Sequence, residues 1–161
     1  MRENSLIDKY LLVKPTIRVL IEWPILIVIG IIGTIFHLLT IPFYPITNIL
    51  GAIVLIIGVI IHEYSHKIHK QMHQQSEKIE ELITKGIYSK IRHLGYFGLI
   101  LIFFGFAFAW GIVWLLVPVV IFSIFTVLTA IKEEEILKEK FGKEYEEYMR
   151  RVPQRFIPKI F

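Results

Sequence analysis

The chain of 161 residues has no cysteine, and after Asp8 it has no aspartate. The first absence removes disulfides, thiolate nucleophiles and Cys-based metal sites, and leaves the redox compartment unreadable. The second narrows any metal site to histidine and glutamate. Charge is missing over two long stretches. No Asp, Glu, Lys or Arg lies between Glu22 and Glu63, or between Arg92 and Lys132, gaps of 40 and 39 residues. The connectors near 41–46 and 110–112 carry no basic residue. No small-residue cleavage site follows the first apolar run, so that run is not expected to be a cleaved signal peptide. There is no internal repeat, no low-complexity tract and no nucleic-acid module, so the net charge of +4 does not imply nucleic acid.

What is present is apolar. The chain is 55% hydrophobic with a mean hydropathy of +0.61, as expected of a polytopic membrane protein. One crossing of the hydrocarbon core takes roughly 20 apolar residues, so each uncharged stretch holds about two spans. The first is interrupted by Thr40-Ile41-Pro42-Phe43-Tyr44-Pro45, where two prolines stop a helix. The second is interrupted near Trp110-Gly111, with Trp114 following, and tryptophan suits the headgroup level. The expected architecture is all-α: spans near 18–40, 46–65, 95–110 and 112–131, paired as two hairpins, followed by an amphipathic C-terminal helix. All of 1–161 forms one integral membrane domain in this reading. The 18 basic residues fall only in 1–18, 67–92 and 132–161. The positive-inside rule then puts both termini and the central loop in the cytoplasm.

Two charged motifs lie at the span ends. Arg18 and Glu22 are four apart, share a helix face and are expected to pair near the interface. The second span runs into His62-Glu63-Tyr64-Ser65-His66, which has the His-Glu-x-x-His form of a zinc protease. At about 100° per residue, His62, His66, His69 and His73 fall at roughly 0°, 40°, −20° and 20° on a helix. They share one face. A catalytic zinc also needs a third protein ligand and an open position. The available carboxylate, Glu77, would sit on the same helix. A polar face toward headgroups, loop or cofactor is the alternative, and no metal ligand is assigned.

The central polar gap, Gly86–Gly98, reads Gly-Ile-Tyr-Ser-Lys-Ile-Arg-His-Leu-Gly-Tyr-Phe-Gly. It carries more chemistry than a connector needs. Gly86 can supply a positive-φ turn. Gly98, Gly105, Ala107, Ala109 and Gly111 let helices of the second hairpin approach closely, and Gly98 adjoins the polar gap. After the last span come Lys132-Glu133-Glu134-Glu135, and then Ile136/Leu137, Phe141, Tyr145 and Tyr148/Met149 at helical spacing, with a possible break at Gly142. Arg92 and His93 can hold a carboxylate, Glu133 and Glu134 can accept from ribose hydroxyls or an ammonium, and Tyr88 and Tyr96 can face a purine or a sulfonium.

The order Gly86-x-Tyr88, Arg92-His93-x-x-Tyr96-x-Gly98, Glu133-Glu134, Phe141-Gly142, Val152-Pro153-x-Arg155-Phe156-Ile157-Pro158 resembles the isoprenylcysteine carboxyl methyltransferases and the related phospholipid methyltransferases. The resemblance covers about 78–158, leaving 1–73 as an N-terminal hairpin. It implies a membrane enzyme that binds S-adenosylmethionine at the cytoplasmic face and methylates a carboxyl or amine of a lipid-like or prenylated acceptor. It implies catalytic roles for Arg92, His93 and Glu133. It implies cofactor contacts from Leu82, Ile83, Tyr88, His93, Leu94, Gly95, Tyr96, Glu133 and Glu134, with Glu133 foremost. Two positions depart from the pattern. Leu94 replaces a proline, which leaves the turn to Gly95. Thr129 stands where the eukaryotic enzymes carry an acceptor-binding arginine, with Lys132 or Arg92 as substitutes. A zinc protease built on His62-Glu63-x-x-His66 and a non-catalytic membrane scaffold are the other readings.

Overall fold

The computed structural model describes residues 10–11, 13, 15–68 and 82–156. Among these the fold is all-helical: α1 (Pro15–Ile35), α2 (Ile46–Ile68), α3 (Leu94–Trp110), α4 (Leu116–Phe141) and α5 (Lys143–Arg151). Short 3-10 turns at Gly86–Ser89 and Val113–Leu115 precede α3 and α4. Three helices are long and apolar enough to cross a membrane. α3 is shorter, and its 17 residues rise about 26 Å. The chain is thus a polytopic helical membrane protein with a short amphipathic helix after the last span.

The helix ends have local causes. α1 stops at Ile35, short of the expected 40, because His37 takes a left-handed conformation with φ 49°. The Leu38 N–H then reaches back to the Gly33 carbonyl at 2.9 Å, and the His37 N–H to Thr34 at 3.4 Å. This is the pattern of a Schellman cap, made without glycine. α4 does not end near 131. It runs unbroken to Phe141, so Glu133 and Glu134 ride on the extension of the last span, and only α5 is a separate amphipathic helix. The break is Gly142, whose φ of +54° suits a residue without Cβ.

Gly98, Gly105 and Ala109 of α3 pack against α2, not against α4. A Cβ on Gly105 would stand 2.4 Å from the Leu55 nitrogen, and one on Gly98 would stand 2.8 Å from the His62 nitrogen. In return, a Cβ on Gly51 would meet the Ala109 nitrogen at 2.3 Å, and one on Gly58 the Ile102 nitrogen at 2.8 Å. Gly51, Gly58 and Ser65 are the buried positions of α2, seven residues apart. The repeat keeps one backbone-thin stripe facing α3 along the whole antiparallel pair. Gly98 therefore serves packing and is not part of the polar site. On the other side of α3, Phe103 and Ala107 join Leu26 of α1 with Val119 and Phe122 of α4 in the main apolar core.

Candidate functional site

The described parts of the central and C-terminal basic segments, 82–92 and 132–156, meet at one end of the bundle. The 3-10 turn starts at Gly86, whose φ of +65° bears out the expected left-handed position. Ile91, Tyr88 and Leu94 then pack with Ile61, Ile68 and Ile83. This apolar plug fixes Arg92 and His93 just ahead of α3. Leu94 is the first residue of α3, and His93 is its cap. The expected turn at Gly95 is absent: Gly95 is helical and buried. A proline at the first helical position would have contributed only a preset φ, so leucine stands there without distortion.

Glu134 is the hub of the site. Arg92 Nε and Nη2 donate to its Oε1 at 3.0 and 2.9 Å. His93 Nε2 donates to the same oxygen at 3.0 Å. Arg155, from the tail, donates through Nε to Oε2 at 3.1 Å, and its Nη2 also lies 3.1 Å from that oxygen. Arg92 Nη1 donates to the Val152 carbonyl. The backbone closes the same joint, with Arg92 N–H on Gln154 O at 3.1 Å and His93 N–H on Arg155 O at 2.8 Å. Two guanidiniums around one buried carboxylate offset the cost of burying each charge.

Glu133 stands apart from this network. Its carboxylate lies beside Tyr96, and His93 Nδ1 is 3.8 Å away. The His93 ring also faces Tyr96, with centroids 5.7 Å apart, and Phe156 at 5.9 Å. His93 thus lies between the two carboxylates, bonded to Glu134 and 3.8 Å from Glu133.

The other nominated residues form the surrounding wall. Leu82 packs with Leu137, Tyr145, Tyr148 and Val152, whereas Ile83 packs with Tyr88. The pair straddles two apolar clusters. The Tyr88 hydroxyl shares a 2.6 Å hydrogen bond with Ser65, and its carbonyl accepts from the Tyr148 hydroxyl at 2.8 Å. Burial pushes the Tyr88 and Tyr148 phenols above their ordinary values, so both stay neutral donors at neutral pH. Gly95 contributes its carbonyl, which accepts from His62 Nδ1 at 3.0 Å.

That bond also bears on the zinc motif. With Nδ1–H spent on Gly95, neutral His62 is left with Nε2 as an acceptor, and His66 Nε2 lies 2.9 Å from it. The two imidazoles pair with each other, and Glu63 is exposed. Among the described residues no group of three His or Glu side chains surrounds a common point. His69, His73 and Glu77 lie outside the described residues.

The arrangement brings together Arg92, His93, Tyr96, Glu133 and Glu134, and uses Leu82, Ile83, Tyr88, Leu94 and Gly95 as walls. Arg155 and Ser65 are not among the site residues expected from the sequence, whereas His62 meets the loop as the polar-face reading of its helix expects. Arg155 had a signal, since it is the one cation inside the proline-bounded tail motif. Ser65 had one too, as the third small residue of the stripe on α2.

Residues 9–161 match the family model described as ergosterol biosynthesis ERG4/ERG24 family. The chain belongs to this family. ERG4/ERG24 proteins are integral membrane enzymes that modify lipids and include sterol reductases, and they are related to the membrane methyltransferases that the tail motif resembles. No curated protein matches this ERG4/ERG24 member.

Proposed function

We propose that this ERG4/ERG24 member is an S-adenosylmethionine-dependent methyltransferase that acts on a lipid-like or prenylated acceptor at the cytoplasmic membrane face. The observation that carries this reading is the division of labour between the two glutamates. Glu134 engages both guanidiniums of the site, Arg92 and Arg155, and so occupies donors that would otherwise bind an anion. Glu133, beside Tyr96, takes neither guanidinium and is left next to that network. A carboxylate beside aromatic rings suits a cationic ligand and ribose hydroxyls, and it opposes a pyrophosphate. The residues present therefore fit a sulfonium cofactor. Glu133 and Tyr96 would hold its polar part, and the wall of Leu82, Ile83 and Tyr88 would keep water out.

When bound, S-adenosylmethionine supplies a methyl group on a good leaving group. The chain's own work is then alignment and exclusion of water, which can supply most of the rate for an anionic acceptor. For an amine acceptor, His93 Nδ1 is placed to take the proton, because Nε2 is already committed to Glu134. The tail joint at Gln154 and Arg155 holds His93 in position.

A second reading, hydride reduction of a sterol-like lipid with a nicotinamide dinucleotide, is favoured by the name of the matched family. It asks the site to accept phosphates next to Glu133. Incubating the purified protein with methyl-labelled cofactor, membrane lipids and a prenylcysteine peptide separates the two. Label in either acceptor, lost in Glu133→Gln, supports methyl transfer. No label in either acceptor, with Glu133→Gln binding the cofactor as the parent does, overturns it.

A further inference from the structure

α1 carries a cation and an anion inside an apolar span, and the chemistry above uses neither. Arg18 and Glu22 are 4% and 1% exposed, although their neighbours Ile17, Leu20 and Ile21 face outward. Arg18 Nε and Nη2 donate to Glu22 Oε1 at 3.3 and 3.1 Å, and the Tyr10 hydroxyl donates to the same oxygen at 2.6 Å. Arg18 Nη1 donates to Thr129 Oγ1 on α4 at 2.6 Å. The Tyr10 ring lies under the guanidinium, 5.1 Å from its centre, and against Phe125 of α4 at 5.2 Å.

A clamp between α1 and α4 explains part of this cluster but not its charge. The Thr129 hydroxyl already donates to the Phe125 carbonyl at 2.8 Å, so it does not require an arginine to satisfy it. Apolar packing would join the helices without burying two ions. Ionisable side chains within spans mark substrate or ion paths by default. A guanidinium has five N–H groups, and three are used here, so two have no acceptor among the described residues. Their position is informative. Thr129, which Arg18 touches, is one helical turn before Glu133 on α4.

We propose that Arg18, oriented by Glu22, Tyr10 and Thr129, binds the polar oxygen of the lipid substrate. That oxygen is a hydroxyl or a carboxylate at the end of an apolar body lying along α1 and α4. The site delivers the polar end of the lipid to the neighbourhood of Glu133 and Tyr96. This rests on the chain acting on lipids and is independent of methyl transfer, so a failed methylation assay leaves it standing.

The test uses the full chain in detergent and the fluorescence of its tryptophans, among them Trp23, five residues beyond Arg18 on α1. Three brominated probes of equal chain length are titrated as quenchers: a carboxylic acid, an alcohol and a hydrocarbon. The acid, the alcohol or both should quench at a concentration about tenfold or more below that of the hydrocarbon, the scale of a hydrogen bond to a charged group. The acid alone gaining marks a carboxylate substrate, and the alcohol alone a hydroxyl substrate. In Arg18→Met/Glu22→Leu, which removes both charges together, the advantage should fall to about one. Arg18→Lys, which keeps the pair and so the fold, should lose most of the advantage because it lacks the planar fork. Equal quenching by all three probes in the parent chain, or an advantage unchanged in either variant, overturns the proposal.

Discussion

The two ends of the bundle are closed in the same way and filled in opposite ways. At the connector end, Ile41 N–H meets Gly111 O at 2.8 Å and Val113 N–H meets Leu39 O at 3.0 Å. At the basic end, Arg92 and His93 make the matching pair of backbone bonds to Gln154 and Arg155. Each end therefore satisfies backbone groups that no helix can satisfy, as a membrane protein must. The connector end then adds only neutral groups: Asn48 Nδ2 donates to the Ala109 carbonyl at 3.1 Å, and Trp110 donates to Thr34 at 3.0 Å. The basic end adds Arg92, His93, Arg155, Glu133 and Glu134. A neutral staple suffices to close the fold, so the buried charges at the basic end ask for another explanation, and ligand binding is the one proposed above.

The largest expected effect tests that contrast. Glu134→Leu leaves two guanidiniums without their carboxylate and should cost about 3–5 kcal/mol in thermal unfolding of the detergent-solubilised chain. Asn48→Ala, its counterpart at the connector end, should cost about 1 kcal/mol. Equal losses would break the comparison. Between them falls Gly105→Ala, which pushes a methyl into the Leu55 backbone and should cost about 1–3 kcal/mol without touching either end. Gly111→Ala should cost about 1–2 kcal/mol, because its φ of +84° is left-handed and Asn48 Nδ2 lies 2.7 Å from the new Cβ. The smallest change in stability is expected for Glu133→Gln, within about 0.5 kcal/mol of the parent. A large loss there would place Glu133 in the framework alongside Glu134.

The spans were legible because the uncharged gaps and the two prolines are unambiguous physical signals. The basic end is legible as a place, since every Lys and Arg lies in three segments, and the described parts of two of them, 82–92 and 132–156, meet there. The roles of the two glutamates were not. Adjacent residues on a helix point about 100° apart, and only the packing of the tail decides which of Glu133 and Glu134 meets the arginines. The end of α1 was misjudged because His37 adopts a conformation that non-glycine residues seldom take. The partner of α3 was misjudged because chain order favours the neighbouring helix, whereas the spacing of Gly51, Gly58 and Ser65 matches α3 to α2. A proline expected at the Leu94 position suggests a turn completed by Gly95, whereas the position is a helix start and Gly95 lies in the first turn of α3.

The central claim is that the basic end holds a cationic cofactor through Glu133. Thermal unfolding with S-adenosylmethionine and, separately, with reduced nicotinamide dinucleotide phosphate tests it most directly. A ligand that binds the native state at a hundredfold excess over its Kd stabilises it by about 2.7 kcal/mol. S-adenosylmethionine should raise Tm in the parent chain, the rise should disappear in Glu133→Gln at unchanged baseline stability, and the dinucleotide should have no effect. Stabilisation by the dinucleotide alone would contradict it.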